Sequence, residues 1–368
     1  MSESYDTIII GAGIAGASIA HALGQKDQSV LMIDKAGIAK GGSGAAGAFV
    51  SPKIGKASSL HALTNEAFEF SQDFYSHYCP EHFHQTGMFR IPQNPEDMLR
   101  FPLYEKANTV AYEPYSSEAL HREGIKSPFA AFFFPEAGDC DAVEVCEYLL
   151  KAQQIVQMDV QEIAYHQGLW SVGRYQAKNL ILATGYESEL VDVRYMGISG
   201  VWGSRGDFRT QLRLGKGMHQ SMSISANTEG IVKLGATHER QVKSPQPCEN
   251  SDAIMLKEMA ESLVDTQTFK LQKTYCGMRA GSRDYAPLLG KIIDVGAMLH
   301  TYPHLKKGGT TALKYHENLY IYNGLGGRGF VFAPFLAKML AENIVDQKEI
   351  DPRVNPDRLF FKWCRKLS

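Results

Sequence analysis

The tightest constraint on this chain lies near its N-terminus. Residues 5–10 are a short apolar run rich in isoleucine, the pattern of a parallel strand buried on both faces. They feed Gly11-Ala12-Gly13-Ile14-Ala15-Gly16, then a helical stretch over residues 17–25, then a second strand over 29–33 that ends at Asp34. Strand, G-x-G-x-x-G, helix, strand and acid in that order make the first βαβ unit of a nucleotide-binding α/β sheet. Gly11 makes the tight turn, Gly13 admits a pyrophosphate against the backbone, and Gly16 lets helix pack closely on strand. The helix N-terminus at Ile14 and Ala15 turns free N–H groups and a favourable dipole toward the anion. Asp34, roughly 20 residues beyond the glycines, can accept hydrogen bonds from an adenosine ribose. On this motif alone the dinucleotide is NAD or FAD.

Three further segments select FAD. Lys35 is followed by the loop Gly41-Gly42-Ser43-Gly44-Ala45-Ala46-Gly47-Ala48, small enough for a backbone to pass a phosphate or a flat ring. Residues 155–158, 160–163, 169–172 and 180–182 predict a strand, a small β-meander and a closing strand ending in Ala183-Thr184-Gly185. That ending is similar to FAD domains of the glutathione-reductase type. Val160 is either a backbone partner for adenine or plain core. Residues 319–322 predict another strand, followed by Asn323-Gly324-Leu325-Gly326-Gly327-Arg328-Gly329-Phe330 and an apolar helix over 333–344. FAD is long enough for one glycine junction to meet its pyrophosphate while the other faces the isoalloxazine. A helix dipole and Arg328 at that second junction would stabilise negative charge on the reduced ring. Non-covalent FAD is therefore expected.

With 368 residues, a net charge of −2 and 44% hydrophobic residues, the chain fits two intertwined globular domains. No apolar run reaches the ~18 residues of a membrane span. Glu3 and Asp6 stand where a signal peptide carries basic residues, so a cytoplasmic location is expected. The six cysteines contain no C-x-x-C pair, which predicts reduced, mostly buried thiols. His77, His82 and His84 gather around Cys79, but their irregular spacing suits a surface helix end better than a metal site. Residues 60–78 carry Leu63, Ala67, Phe70, Phe74 and His77 at helical spacing and predict a packed helix.

These residues resemble the D-amino-acid-oxidase-like flavoproteins, which include glycine and sarcosine oxidases. Within them, the chain is most similar to the oxidase half of the bifunctional tRNA 5-methylaminomethyl-2-thiouridine biosynthesis proteins. The resembling stretches are Gly42-Ser43-Gly44 with Gly47-Ala48, residues 52–56, 64–70 with 73–75, Arg205-Gly206-Asp207, 235–240, 277–284, 287–290, Gly327-Arg328-Gly329 with Ala333-Pro334-Phe335, and 355–359. The last, with Arg283-Asp284, favours the tRNA enzyme. The family's asparagine after Ser-Gly is Ala45 here, and the glutamine of its R-G-Q is Asp207. No methyltransferase half precedes the strand at Tyr5, so a separate methyltransferase is expected to act on the product.

The resemblance implies oxidation of 5-carboxymethylaminomethyl-uridine at the tRNA wobble position, releasing glyoxylate and leaving 5-aminomethyl-uridine. Arg279 matches the arginine that binds substrate carboxylate in this family, and a guanidinium grips a carboxylate through two parallel bonds. Nearby positive charge would also keep the amine deprotonated. Lys53 would assist oxygen reduction, meet an RNA phosphate or simply face solvent, while Arg205, Arg283 and Asp284 are expected to be structural. Two alternatives share the cofactor: a small-molecule amine oxidase and a non-catalytic FAD-binding protein.

After Ile350 the chain carries Arg353, Arg358, Lys362, Arg365 and Lys366 among Phe360, Phe361 and Trp363, a basic aromatic tail that would either track an RNA backbone and stack a base or form an ordinary amphipathic helix whose aromatics dock on the body. The fold expected is α/β. Residues 1–78, 139–200 and 284–368 would form a Rossmann-type FAD domain; 79–138 and 201–283 would form an antiparallel-sheet substrate domain. Strands are predicted over 209–214 and 230–234, and a helix over 253–264.

Overall fold

The computed structural model describes residues 3–187 and 189–367. Its first sheet has a parallel centre in the order Tyr315–Asn323, Tyr175–Leu182, Glu3–Ile10, Val30–Asp34 and Gln154–Gln157. The register aligns Ile10 with Ile33 and with Leu182, and Leu182 with Ile321, so four strands end level with one another. Ile9, Met32 and Ile181 point to one core, and Ile8, Leu31, Leu180 and Leu319 to another. A sheet covered on both faces needs apolar residues at every position, hence the unbroken isoleucine run.

Helices Ile14–Gly24, Gly329–Asp346 and Ser59–Tyr78 pack in sequence on the first face. In Ser59–Tyr78 the buried face is Leu63, Ala67, Phe68, Ser71 and Tyr75, with the Ser58 hydroxyl accepting from the His61 N–H as N-cap. His77 is exposed on the last turn, and His84 bonds Asp141 at 2.9 Å.

The second face is closed by helix Asp357–Cys364, which buries Leu359, Phe360, Trp363 and Cys364. This overturns the RNA-binding reading of the tail for Trp363, whose indole is core, packed near Tyr195 and Phe360. Arg353 is engaged by Glu66 and Asp351, and Arg358 by Asp284 and the carbonyls of Ala286 and Pro287. Their charge is consumed within the fold. Lys362, Arg365 and Lys366 are exposed.

The second sheet runs Lys270–Gly281, Ser199–Arg209, Ile231–Gly235, Ser223–Ile224, Gly217–His219, Met88–Arg90, Ala131–Phe134 and Glu113–Tyr115. It is mixed rather than antiparallel, because Gly217–His219 lies parallel to Met88–Arg90. The strand predicted over 209–214 stops at Arg209: the Thr210 hydroxyl accepts from the Leu212 N–H and turns the chain off the ladder. The predicted helix spans Asn250–Ala260. Arg205 is buried, 3.2 Å from Asp207 and over the Tyr275 ring at 4.0 Å, so the aspartate in place of glutamine forms an ion pair.

The cysteine expectation is corrected at one pair. Cys248 and Cys276 form a disulfide across 28 residues, fastening the segment after Ile231–Gly235 to strand Lys270–Gly281. The wide spacing gave no signal, since only the sheet brings the two residues together. The other four cysteines are buried thiols.

Lys233 ties this sheet to the chain around Cys140. Its ammonium meets Asp139 at 2.8 Å, Asp141 at 3.0 Å and the Cys140 carbonyl at 3.0 Å. Asp139 is 2% exposed, and burial pushes its carboxyl upward against the pull of Lys233. Removing one partner of such a pair leaves a buried charge uncompensated. Lys233→Ala is expected to cost about 3–5 kcal/mol in urea melts, and Lys233→Met with Asp139→Asn to recover much of it. Equal midpoints for Lys233→Ala and the unaltered protein would contradict this account.

Candidate functional site

All three glycine stretches leave the first sheet from the same edge, the carboxyl ends of parallel strands, where open α/β sheets bind ligands. Gly11 has φ +109°, and a Cβ there would lie 2.3 Å from the Ala183 carbonyl oxygen; at Gly16 it would lie 1.9 Å from the Gly11 carbonyl oxygen. Asp34 braces this turn, accepting from the N–H groups of Ala12, Ala36 and Gly37. Ser43 accepts from the Ile14 N–H at 2.9 Å, which draws the 41–48 loop onto the helix N-terminus. Asn323 donates to the Gly185 carbonyl at 2.7 Å, tying the second junction to the Ala183-Thr184-Gly185 strand ending. Gly329 lies so close that a Cβ would touch the Ile14 side chain at 3.2 Å.

Between these junctions and the second sheet lies a cavity of about 1350 Å³. Its volume exceeds the ~300–1,000 Å³ of ordinary small-molecule pockets. Of the residues expected to bind cofactor, Gly11, Gly13, Ile14, Ala15, Asp34, Lys35, Ser43, Gly47, Val160, Ala183, Thr184, Gly185, Gly327, Arg328, Gly329 and Phe330 line it. Gly16, Gly44, Ala45 and Gly324 stand behind the wall, where their small size serves packing: a Cβ on Gly44 would lie 2.2 Å from the Ala39 carbonyl oxygen, and one on Gly324 3.1 Å from Leu288. The elongated wall and its glycine cradles fit a dinucleotide with a flat ring system at one end.

The charges along the wall are segregated. Its acids are Asp34 at the end of a parallel strand and Asp159, Glu187 and Glu189 in segments that follow such strands, with Lys35 and Lys40 lining the wall as well. The opposite end carries Lys53, Arg90, Arg279 and Arg328 with His219 and His238, and no acid lines it among the described residues. Arg279 donates to the Thr237 carbonyl at 3.0 Å. Among the described residues no carboxylate pairs with it, and burial lowers its pKa. Neighbouring Gly203 leaves the guanidinium its room: a Cβ there would lie 2.3 Å from Arg279 Nη2. Arg328 donates to the Ser51 carbonyl at 3.0 Å and is pushed down to about 10 by burial and the charge of Arg90. Lys53 is lowered by burial and by Arg328. His219 bonds Ser223 at 2.9 Å and is pushed down to about 3 by burial and by Arg90 and Arg328, so it stays neutral at ordinary pH.

Sequence reasoning missed Arg90, Trp202, His219, His238 and Tyr285, all on this wall, and Gly203 behind Arg279. They come from strands and turns whose pairing is long-range, and no local pattern marks them.

Known proteins share this framework. The tRNA 5-methylaminomethyl-2-thiouridine biosynthesis bifunctional protein MnmC of Legionella pneumophila (strain Lens) is 24% identical over 98% of this chain, which spans 58% of that protein's length. The crystal structure of glycine oxidase from Bacillus cereus superposes with a TM-score of 0.77 at 19% identity, covering 94% of this chain and 96% of that one. Iminodiacetate oxidase from Chelativorans sp. BNC1 does so with a TM-score of 0.77 at 16% identity, covering 96% and 98%. No helix among the described residues is long and apolar enough to cross a membrane. A family model, DAO, described as FAD dependent oxidoreductase, matches residues 6–343, and this chain belongs to that family.

Proposed function

We propose that the chain oxidises the carboxymethyl-bearing amine of 5-carboxymethylaminomethyl-(2-thio)uridine in the wobble position of tRNA. Loss of a hydride from the glycine methylene and of the amine's N–H proton to solvent gives an imine, and water cleaves it to glyoxylate and 5-aminomethyl-uridine. The single observation that carries this reading is Arg279, a half-buried guanidinium on the cavity wall that meets a carbonyl and, among the described residues, no acid. A cation in that state is short of an anion, and a bidentate carboxylate satisfies it best.

FAD, when bound, supplies the hydride acceptor. The rest falls to the chain. Arg279 grips the carboxylate, and Gly203 keeps the approach to it clear. Arg90, Arg328 and Lys53 add positive charge on the same wall, which favours a neutral amine over an ammonium. No side-chain base is required, since orientation and a lowered amine pKa supply the driving effects. The likeness to the bifunctional tRNA enzyme along 98% of this chain supports a nucleic-acid substrate. In that case the methylation that follows belongs to whichever protein carries the methyltransferase. The same clamp would serve a free amino acid, the reading that the glycine-oxidase fold leaves as runner-up.

Arg279→Gln is expected to lower kcat/KM about 100-fold or more, as for loss of a charge-assisted bidentate contact, while the flavin spectrum stays. Glyoxylate release from modified tRNA, with conversion followed by nucleoside analysis, tests substrate and residue together. Glyoxylate from free glycine alone would transfer the function to a small-amine oxidase. A second expectation concerns pH. With His219 pushed down to about 3 and so neutral at ordinary pH, the acid limb of kcat/KM is expected to report the substrate ammonium. His219→Asn should leave that limb's midpoint in place, and a clear shift would make His219 the base.

A further inference from the structure

Tyr285 sits at the rim of the cavity that holds Arg279, and it is 68% exposed. Its backbone is left-handed, φ +65°, a conformation that bulky residues seldom adopt and that glycine or asparagine takes at less cost. A ring left in water gives the fold little burial in return. The surrounding turn is nonetheless held firmly. The Ser282 hydroxyl lies 2.6 Å from the Ala286 carbonyl and 3.0 Å from Asp284, whose carboxylate takes two bonds from Arg358 at 2.8 and 2.9 Å. Arg358 also donates to the carbonyls of Ala286 and Pro287, both at 3.1 Å. On the neighbouring segment the exposed guanidinium of Arg240 lies 6.0 Å from the ring centroid.

We infer that Tyr285 is a stacking platform for a nucleobase adjoining the one being oxidised, with Arg240 beside it to meet the phosphate backbone. The inference rests on the tRNA reading above. A fixed, solvent-facing aromatic next to a cation is the element that single-stranded nucleic acids recognise, because every base offers a flat face whatever its sequence. The anticodon loop brings several unpaired bases to the wobble position, so a site that admits one must meet its neighbours. The clamp formed by Arg358 and Asp284 gives the basic tail an indirect part: it stiffens the turn that presents the ring.

The test compares Tyr285→Gly, which relieves the backbone and removes the ring, with Tyr285→Phe, which keeps the ring. Stacking of one base corresponds to a loss of about 5- to 140-fold. Tyr285→Gly should lose that much kcat/KM on modified tRNA, through KM. Its kcat, its rate with the isolated 5-carboxymethylaminomethyl-uridine nucleoside and its melting temperature should be no lower than those of the unaltered protein. Tyr285→Phe should stay close to the unaltered protein. If the unaltered protein oxidises tRNA and Tyr285→Gly does so with unchanged kcat/KM, the platform is overturned while the tRNA reading stands. Equal losses in both variants would also overturn it, since the ring would then not be what matters. If the unaltered protein oxidises only free N-substituted glycines, the tRNA reading falls and the platform with it.

Discussion

The geometry of the site depends on a close approach of two backbones. A Cβ on Gly42 would lie 2.5 Å from the Met278 carbonyl oxygen, and one on Gly277 would lie 2.8 Å from the Ala45 side chain and 2.9 Å from the Gly42 Cα. The loop on the nucleotide-binding sheet and the strand of the second sheet thus meet almost backbone to backbone, with the Ala45 methyl at the contact. Arg279 is two residues past Gly277 on that strand, so the guanidinium is positioned relative to the glycine loop by main chain rather than by a flexible contact. The strand's far end is held as well, because Gly281 bridges to Leu325 in the second glycine junction. The carboxylate clamp proposed for Arg279 would need that stiffness, since small misplacements are expensive wherever a barrier is lowered by orientation.

The charges on the cavity wall are unevenly distributed. Acids collect where an adenosine would lie, at the ends of parallel strands, and there Lys35 is paired with Glu187 at 2.6 Å. Cations collect where the second sheet closes over the glycine junctions. Arg90 retains a partner, Asp97 at 3.4 Å, but no carboxylate pairs with Arg279 or Arg328 among the described residues, and burial lowers both pKa values. Keeping charged guanidinium groups half-buried without acids costs stability unless an anion repays it. The fold therefore holds a standing preference for anionic ligands at one end of the cavity, which a carboxylate meets.

How much of this was legible in the chain follows from the range of the interactions. The strand over residues 5–10, the glycine turn and Asp34 are contiguous, and their meaning is carried by spacing alone. Arg279 was recognisable only through the Gly277-to-Asp284 run it shares with a known family. Arg90 and His219 were silent because their strands, Met88–Arg90 and Gly217–His219, meet through a parallel pairing that no local signal encodes. The Cys248–Cys276 bond was hidden because it joins a loop to a strand 28 residues on, at a spacing no motif marks. The predicted strand over 209–214 failed on a local bond instead, the Thr210 hydroxyl competing with the ladder.

The tail is instructive, since its composition left two readings open and its aromatics follow the docked one. Basic and aromatic residues in one short helix form a nucleic-acid surface only if both kinds face solvent. In Asp357–Cys364 the hydrophobic spacing turns Phe360 and Trp363 inward against Tyr195, and the chain just before the helix puts Arg353 within reach of Glu66. Linear charge density measures what a segment contains, whereas a surface field depends on which charges are left over after folding. Arg358 spends its guanidinium on Asp284 and two carbonyls, and so acts on the cavity rim from behind, through the turn that carries Tyr285.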